Sequence, residues 1–214
     1  SISYNKLGDV FLALGRTDDA LAYFESCLKI SRMLAEADPR DAQRQRDISI
    51  SYGNLGDVFL ALGRTDDALA YFESSLKTSR VLADADPHDI EKQRSLSVSH
   101  NKLGDAFVTL GRTNDAFEQF EACLRISRVL AAADPRDIER QCDLAVSHNN
   151  LGEVLATLGR TNEALEQFEA SSKISRTVAE ADPRHALKQR GLAASHNKLG
   201  EVFTTLGRTN DALA

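Results

Sequence analysis

The run YGNLGDVFLALGRTDDALAYF, residues 52–72, holds two helical patterns on either side of one glycine. Extended back to Ile48, its apolar residues Ile48, Tyr52, Leu55, Phe59 and Leu62 are spaced four, three, four and three, the stripe of an amphipathic helix and not the alternation of a strand. Gly63 supplies the turn, because a helix end commonly needs a residue that tolerates left-handed geometry. A second stripe follows at Ala68, Leu69, Phe72, Leu76, Leu82 and Ala83. Its helix is expected to begin after Thr65, whose hydroxyl would cap free amides while Asp66 and Asp67 favour the positive helix end.

Outward from this stretch the pattern recurs in frame. Leu-Gly stands at Leu7, Leu55, Leu103, Leu151 and Leu199, each step being 48 residues. Asp-Pro recurs at Asp38, Asp86, Asp134 and Asp182, and Leu-Gly-Arg-Thr begins at Leu14, Leu62, Leu110, Leu158 and Leu206. The units are 1–48, 49–96, 97–144, 145–192 and a partial 193–214, all read as a single array. The longer helix of each unit is expected to open with Asp38 as N-cap, Pro39 in its first position and Asp41 near its amino end, and to stop at Gly63. It would run about 36 Å from Pro39 to Leu62, and its partner about 30 Å from Asp66 to Ala85. Neither helix buries its stripe alone, so the hairpins must stack. The fold class that follows is all-α, a right-handed superhelical solenoid of antiparallel helical hairpins.

Composition bounds the function. The chain is 42% hydrophobic and 27% charged, enough apolar material for a sizeable core. A net charge of -6 gives no general attraction for polyanions, which argues against a nucleic-acid partner. No apolar run approaches the roughly 20 residues that span a bilayer, and Ser1-Ile2-Ser3-Tyr4 lacks the regions of a signal peptide, so the expectation is a soluble, cytoplasmic protein without a membrane partner. Cys27, Cys123 and Cys142 form no CxxC pair, and Ser75 and Ser171 take the place of Cys27 and Cys123 in the alternate units. Reduced, packed thiols are expected, with no zinc site.

These residues resemble the tetratricopeptide repeat family, whose pattern of an aromatic, Leu-Gly, an aromatic, then Ala, an aromatic and a small residue appears as Tyr4, Leu7, Gly8, Phe11, Ala20, Phe24 and Cys27. It returns at Tyr52, Leu55, Gly56, Phe59, Ala68, Phe72 and Ser75, and at His100, Leu103, Gly104, Phe107, Ala116, Phe120 and Cys123. The family's usual unit is about 34 residues, so the longer period resembles a bacterial variant with lengthened hairpins. Similar long hairpins occur in kinesin light chains and in bacterial arrays attached to enzymatic or signalling domains. The resemblance implies a TPR-like scaffold that binds a protein or peptide, without a cofactor.

In that family the first helix of each hairpin lines a concave groove. Helical spacing traces this face through Arg46, Ile50, Gly53, Asp57 and Leu60, then Arg94, Val98, Asn101, Asp105 and Val108. It continues through Cys142, Val146, Asn149, Glu153 and Ala156, and Arg190, Ala194, Asn197, Glu201 and Thr204. With Asn5 and Asp9 of the first unit, this forms an asparagine ladder beside an acidic rail and a broken basic rail. An Asn amide suits the backbone of an extended peptide, the acidic rail would select basic ligand residues, and Arg46, Arg94 and Arg190 would hold acidic groups. The competing reading has these side chains pairing among themselves across adjacent helices. Lys6, Lys102 and Lys198, alternating with Asn54 and Asn150, are expected to be solvated.

His100, His148 and His196 replace Tyr4 and Tyr52 at a packing position, and helices of one type stand too far apart for adjacent histidines to share an ion. The repeated Ser-Arg pairs, such as Ser79-Arg80 and Ser127-Arg128, read as packing and surface charge. There is no phosphate-binding loop, nucleophile elbow or catalytic triad pattern, so no enzyme is expected. The chain starts within a first helix and stops early in a second, so it is expected to be a fragment. Uncapped ends, apolar at the first helix and at Phe203 and Leu206, would permit an end-to-end homo-oligomer, and regulation of an enzyme elsewhere in a longer polypeptide is a further alternative.

Overall fold

The computed structural model describes residues 2–181 and 186–205, with side chains described throughout these except at 2–6, 186–190, 192 and 205. The Asp182-Pro183 turn and the last Leu-Gly-Arg-Thr copy, from Leu206, lie outside the described residues, as do the side chains of Tyr4 and Lys6. Two compact units result, Ser1–Arg112 and Thr113–Ala214. The first contains α1 (Ile2–Ala13), α2 (Thr17–Ala37), α3 (Ala42–Ala61), α4 (Thr65–Ala85) and α5 (Ile90–Thr109). The second contains α6 (Thr113–Ala133), α7 (Ile138–Thr157), α8 (Thr161–Ala181) and α9 (Ala186–Thr205). Within each unit successive helices pack on one another, and α3 also meets α5 as α7 meets α9.

The first turn of each hairpin follows from Gly63, whose φ of +70° is the left-handed geometry glycine adopts without cost. Gly63 N donates to Leu60 O at 3.0 Å and Arg64 N to Phe59 O at 2.8 Å, the paired bonds that satisfy the last carbonyls of a helix. The Arg64 guanidinium then lies 4.5 Å from the centre of the Phe59 ring, sealing the same turn. Arg16 over Phe11 and Arg112 over Phe107 repeat it at 4.7 Å and 4.4 Å. The expected Thr65 cap is corrected here. Arg64 holds the N-cap position of α4 without a side-chain cap bond, and Thr65 is already helical. Because Arg64 O accepts from Ala68 N at 3.0 Å, the backbone leaves the left-handed turn directly into the next helix.

The second connection also differs from expectation. Asp38 ends α2, Pro39 sits in a turn closed by Asp41 N donating to Asp38 O at 3.2 Å, and Asp41 is the N-cap of α3. Its carboxylate accepts from Gln43 N at 2.9 Å and Arg44 N at 3.3 Å, so the second aspartate of Asp-Pro-Arg-Asp satisfies the free amides. Asp89 and Asp137 do the same for α5 and α7. The first helices are therefore 20 residues long.

The core rests on a close approach at Gly56, where an added Cβ would lie 2.3 Å from Phe72 Cε1. Gly8 faces Phe24 and Gly152 faces Phe168 in the same way, and these three phenylalanines are essentially sealed from solvent. Beside them runs a buried hydroxyl seam that sequence reading took for simple packing. In the first unit Ser79 Oγ donates to Ser99 Oγ at 3.0 Å, Ser99 Oγ lies 3.2 Å from Ser75 Oγ, and Ser75 Oγ donates to Ser49 O at 2.9 Å. In the second, Ser147 Oγ lies 2.9 Å from Ser127 Oγ and 3.4 Å from Cys123 Sγ, so a thiol takes one hydroxyl's place. Each of these polar groups is buried with a partner, which is the condition for tolerating it in a core.

The aromatic position varies along the chain. Tyr52 and Tyr71 meet at 6.2 Å in the first, with Tyr71 stacked on Phe59 at 5.1 Å. In the second the matching residues are His148 and Gln167, paired through His148 Nδ1 and Gln167 Oε1 at 2.9 Å. Burial holds the His148 pKa below its ordinary value; the Gln167 bond opposes this and the Arg128 charge adds to it. His100 is buried like His148, whereas His196 is exposed.

Gly56→Ala is expected to lose about 1–3 kcal/mol of unfolding free energy, because the methyl must displace a buried ring. Gly53→Ala, whose Cβ would make only ordinary contacts, with Lys102 Cδ at 3.5 Å and Ser75 Oγ at 3.8 Å, should instead gain about 0.5–1 kcal/mol from helix propensity. Urea unfolding of the two variants separates them by sign.

Candidate functional site

In the first unit α3 and α5 bound a cavity of about 230 Å³, lined by Arg46, Ile50 and Gly53 on one side and Arg94, Val98 and Lys102 on the other. Ser49, Ser75 and Ser99 of the hydroxyl seam also line it. The helical spacing of the sequence thus places these residues on one face, as expected for Arg46, Ile50, Arg94 and Val98. The cavity lies at Gly53, where the other repeats carry the ladder asparagine. The asparagine row is interrupted here, and the missing side chain leaves an open lane.

Lys102 uses that lane. Its stem passes Gly53, its ammonium pairs with Asp57, and its Nζ lies 6.0 Å from the centre of the Phe72 ring. The expected solvation of Lys102 is therefore corrected: the lysine binds the acidic rail of the preceding first helix. Lys198 repeats the arrangement in the second unit, with Nζ 3.3 Å from Glu153 Oε1 and 3.5 Å from Glu201 Oε2. Arg46 is likewise engaged, by Glu91 Oε2 at 2.7 Å and Ser95 Oγ at 3.0 Å. These pairs stay partly open to solvent, so each contributes little stability while fixing where its side chain lies.

The ladder amides differ from one another. Asn101 Nδ2 donates to Asp105 Oδ2 at 3.2 Å along its own helix. Asn149 Nδ2 reaches Ser195 Oγ at 3.5 Å on α9, while its Oδ1 is buried with no hydrogen-bond partner. Asn197, Asp9, Asp105, Glu153 and Glu201 are exposed. The side chains of Asn5 and Arg190 lie outside the described residues. Sequence reasoning missed Glu91, Ser95 and Lys102 as partners on this face; the interruption of the asparagine row by Gly53 was the signal available for Lys102.

Electrostatically Asp57 stands apart. Burial pushes its carboxyl above the ordinary value of 3.8, the Lys102 ammonium opposes the shift, and the charge of Asp9 on the preceding first helix adds to it. Among the described residues no three His, Cys, Asp or Glu side chains converge on a metal-sized point, and no helix is long and apolar enough to cross a membrane.

With its pKa raised in the folded state, Asp57 binds a proton more tightly there than in the unfolded chain. Stability from this group is full below 3.8 and lost as pH rises through the interval up to the raised value, with no further change above it. Asp57→Asn should abolish that decline, so the variant gains on the native chain across the interval. Chemical denaturation over a pH series checks this; parallel profiles would assign the decline to another group.

Models of the tetratricopeptide repeat match residues 5–89, 98–129 and 144–185. Among solved structures, the chain is similar to BtubC (BKLC) from P. vanneervenii, with 18% identity, 96% of this chain and 72% of that one covered, and a TM-score of 0.73. It is similar also to a Podosopora anserina putative kinesin light chain with nearly identical TPR-like repeats, at 18% identity, 99% and 89% coverage and a TM-score of 0.68. MamA follows at 17% identity, 96% and 88% coverage and a TM-score of 0.53. At these identities the likeness is one of fold. No curated protein matches. The recurring Leu-Gly and Gly-Arg-Thr signatures, the glycine-to-phenylalanine hairpin packing and the three matched segments agree: an all-α chain of TPR-like solenoid class, it belongs to the tetratricopeptide repeat family.

Proposed function

We infer that this protein is a non-catalytic interaction scaffold that holds an extended peptide or a partner helix along the face of its first helices. The observation that carries this reading is apolar exposure on that face. On that face Val98 is 46%, Val108 51% and Val146 51% exposed. A ligand backbone lying there would find Val98 and the Gly53 cavity in the first unit, and Val146 in the second. Since Asp57, Glu153 and Arg46 already hold partners, a ligand would compete for them, and charge would contribute orientation more than affinity. That the two units work as one array, in the cytoplasm, belongs to the same proposal.

A second reading, self-association, is favoured at α1. Leu7 and Val10 are about half exposed, whereas Leu55 and Val58, at the same places in the next repeat, are fully buried. Leu7→Glu should then convert a concentration-dependent oligomer into a monomer in sedimentation. A native chain that stays monomeric at every concentration removes this reading.

For the first reading, the combined Asn101→Ala, Asn149→Ala, Asn197→Ala variant should keep its helical circular dichroism and weaken a bound peptide by about tenfold, as loss of a few central polar contacts would. Peptide affinity equal to that of the native chain would show that the asparagines are not the contacts.

A further inference from the structure

The first unit has another recessed surface, on the side of its second helices. A cavity of about 590 Å³ is bounded by Pro39 and Arg40 of the interhelix turn, Tyr52 of α3, and Lys77, Val81 and Leu82 of α4. Beside it Met33 of α2 and Tyr71 of α4 line a shallower hollow of about 380 Å³. Arg32 links the two, since it lines the second and donates to Tyr52 Oη, in the first, at 3.0 Å. None of the residues lining the larger cavity lines the one between α3 and α5.

This surface combines exposed apolar groups with uncommitted positive charge. Val81 is 63% and Met33 60% exposed. Arg40 and Lys77 make no ion pair among the described residues, and Lys29 beside Met33 makes none either. Lys92, on the rim, is held by Asp86 and Asp89 at 3.2 Å and 3.0 Å. The carboxylates on the two linings are Glu25 and Glu36, against five lysines and arginines, in a chain whose net charge is -6. The aromatic floor is a local feature, because His148 and Gln167 replace Tyr52 and Tyr71 in the second unit and spend their polar atoms on each other.

We propose that this surface docks an acidic peptide segment carrying one bulky apolar side chain, which enters the cavity between Tyr52 and Val81 while flanking carboxylates meet Arg40 and Lys77. The apolar side chain gains by leaving water, and the cations, having no internal partner to give up, supply orientation and steering. A basic or neutral segment would leave them unmatched.

The test is to pan a phage-displayed library of random dodecamers on the whole chain, then titrate the enriched peptide, fluorescein-labelled, by anisotropy. Enrichment of acidic peptides with a Trp, Phe or Leu is expected. The dissociation constant should rise about tenfold or more in Val81→Asp and in the Arg40→Glu, Lys77→Glu double variant, and rise with salt as well. Val129→Asp, the same change at the equivalent exposed position of the second unit, should leave it unchanged. Circular dichroism of each variant confirms folding, which substitution at such exposed side chains should preserve. Enriched peptides without acidic bias, affinity indifferent to both surface variants, or no enrichment above the bare support would each overturn the proposal. So would a dimer in sedimentation that Val81→Asp dissolves, since the occupant would then be a second copy.

Discussion

The fold depends on how closely the two helices of a hairpin approach at Gly56. With no side chain there, the ring of Phe72 lies against the backbone of α3, and nothing larger than hydrogen fits between them. That approach seals the phenylalanine. It also brings Ser49 within 3.1 Å of Ser75, so that hydroxyls can satisfy one another where apolar side chains would hold the helices apart. The same contact recurs at Gly8 and Gly152. The Leu-Gly pairs are therefore packing requirements, and the Leu-Gly-Arg-Thr turns that follow them serve a separate need, closing one helix and starting the next.

Once the hairpins are fixed, the polar side chains of the first helices have few choices. A lysine that passes Gly53 finds the carboxylate of the preceding first helix at its tip, and Lys198 repeats this toward Glu153. The acidic rail is thereby divided between carboxylates held by lysine and ones, such as Asp9, that face water. What the face offers a ligand is consequently less a continuous charge pattern than exposed valines between fixed polar groups. The other side of the first unit has the reverse character, since Arg40 and Lys77 there make no ion pair among the described residues and its floor is aromatic.

Near-identical repeats differ where partners change together. Tyr52 with Tyr71 becomes His148 with Gln167, exchanging a ring contact for a hydrogen bond at the same place. Cys123 takes the position of Ser75 and still reaches a serine of the following first helix. Such paired changes keep the core satisfied while altering the surface above it.

Much of this was legible in the sequence because periodicity is local physics. Stripes at intervals of three and four specify helices, Gly63 specifies the turn, and in-frame recurrence specifies stacking, whatever the tertiary details. The helix start was misplaced because Asp38 and Asp41 are both good caps on composition; only the turn closed by Asp41 N and Asp38 O decides which one meets the free amides. The serines read as packing, but the hydroxyls they bond lie on other helices and meet only once the helices pack. The lysines looked solvated because their partners lie 45 residues away on another helix. By itself, then, the sequence determined the helices, their turns and their repetition, each set within a few neighbouring residues. Which polar groups are spent inside the protein and which remain for a ligand was decided by tertiary structure, since that depends on distances between helices that no local pattern records.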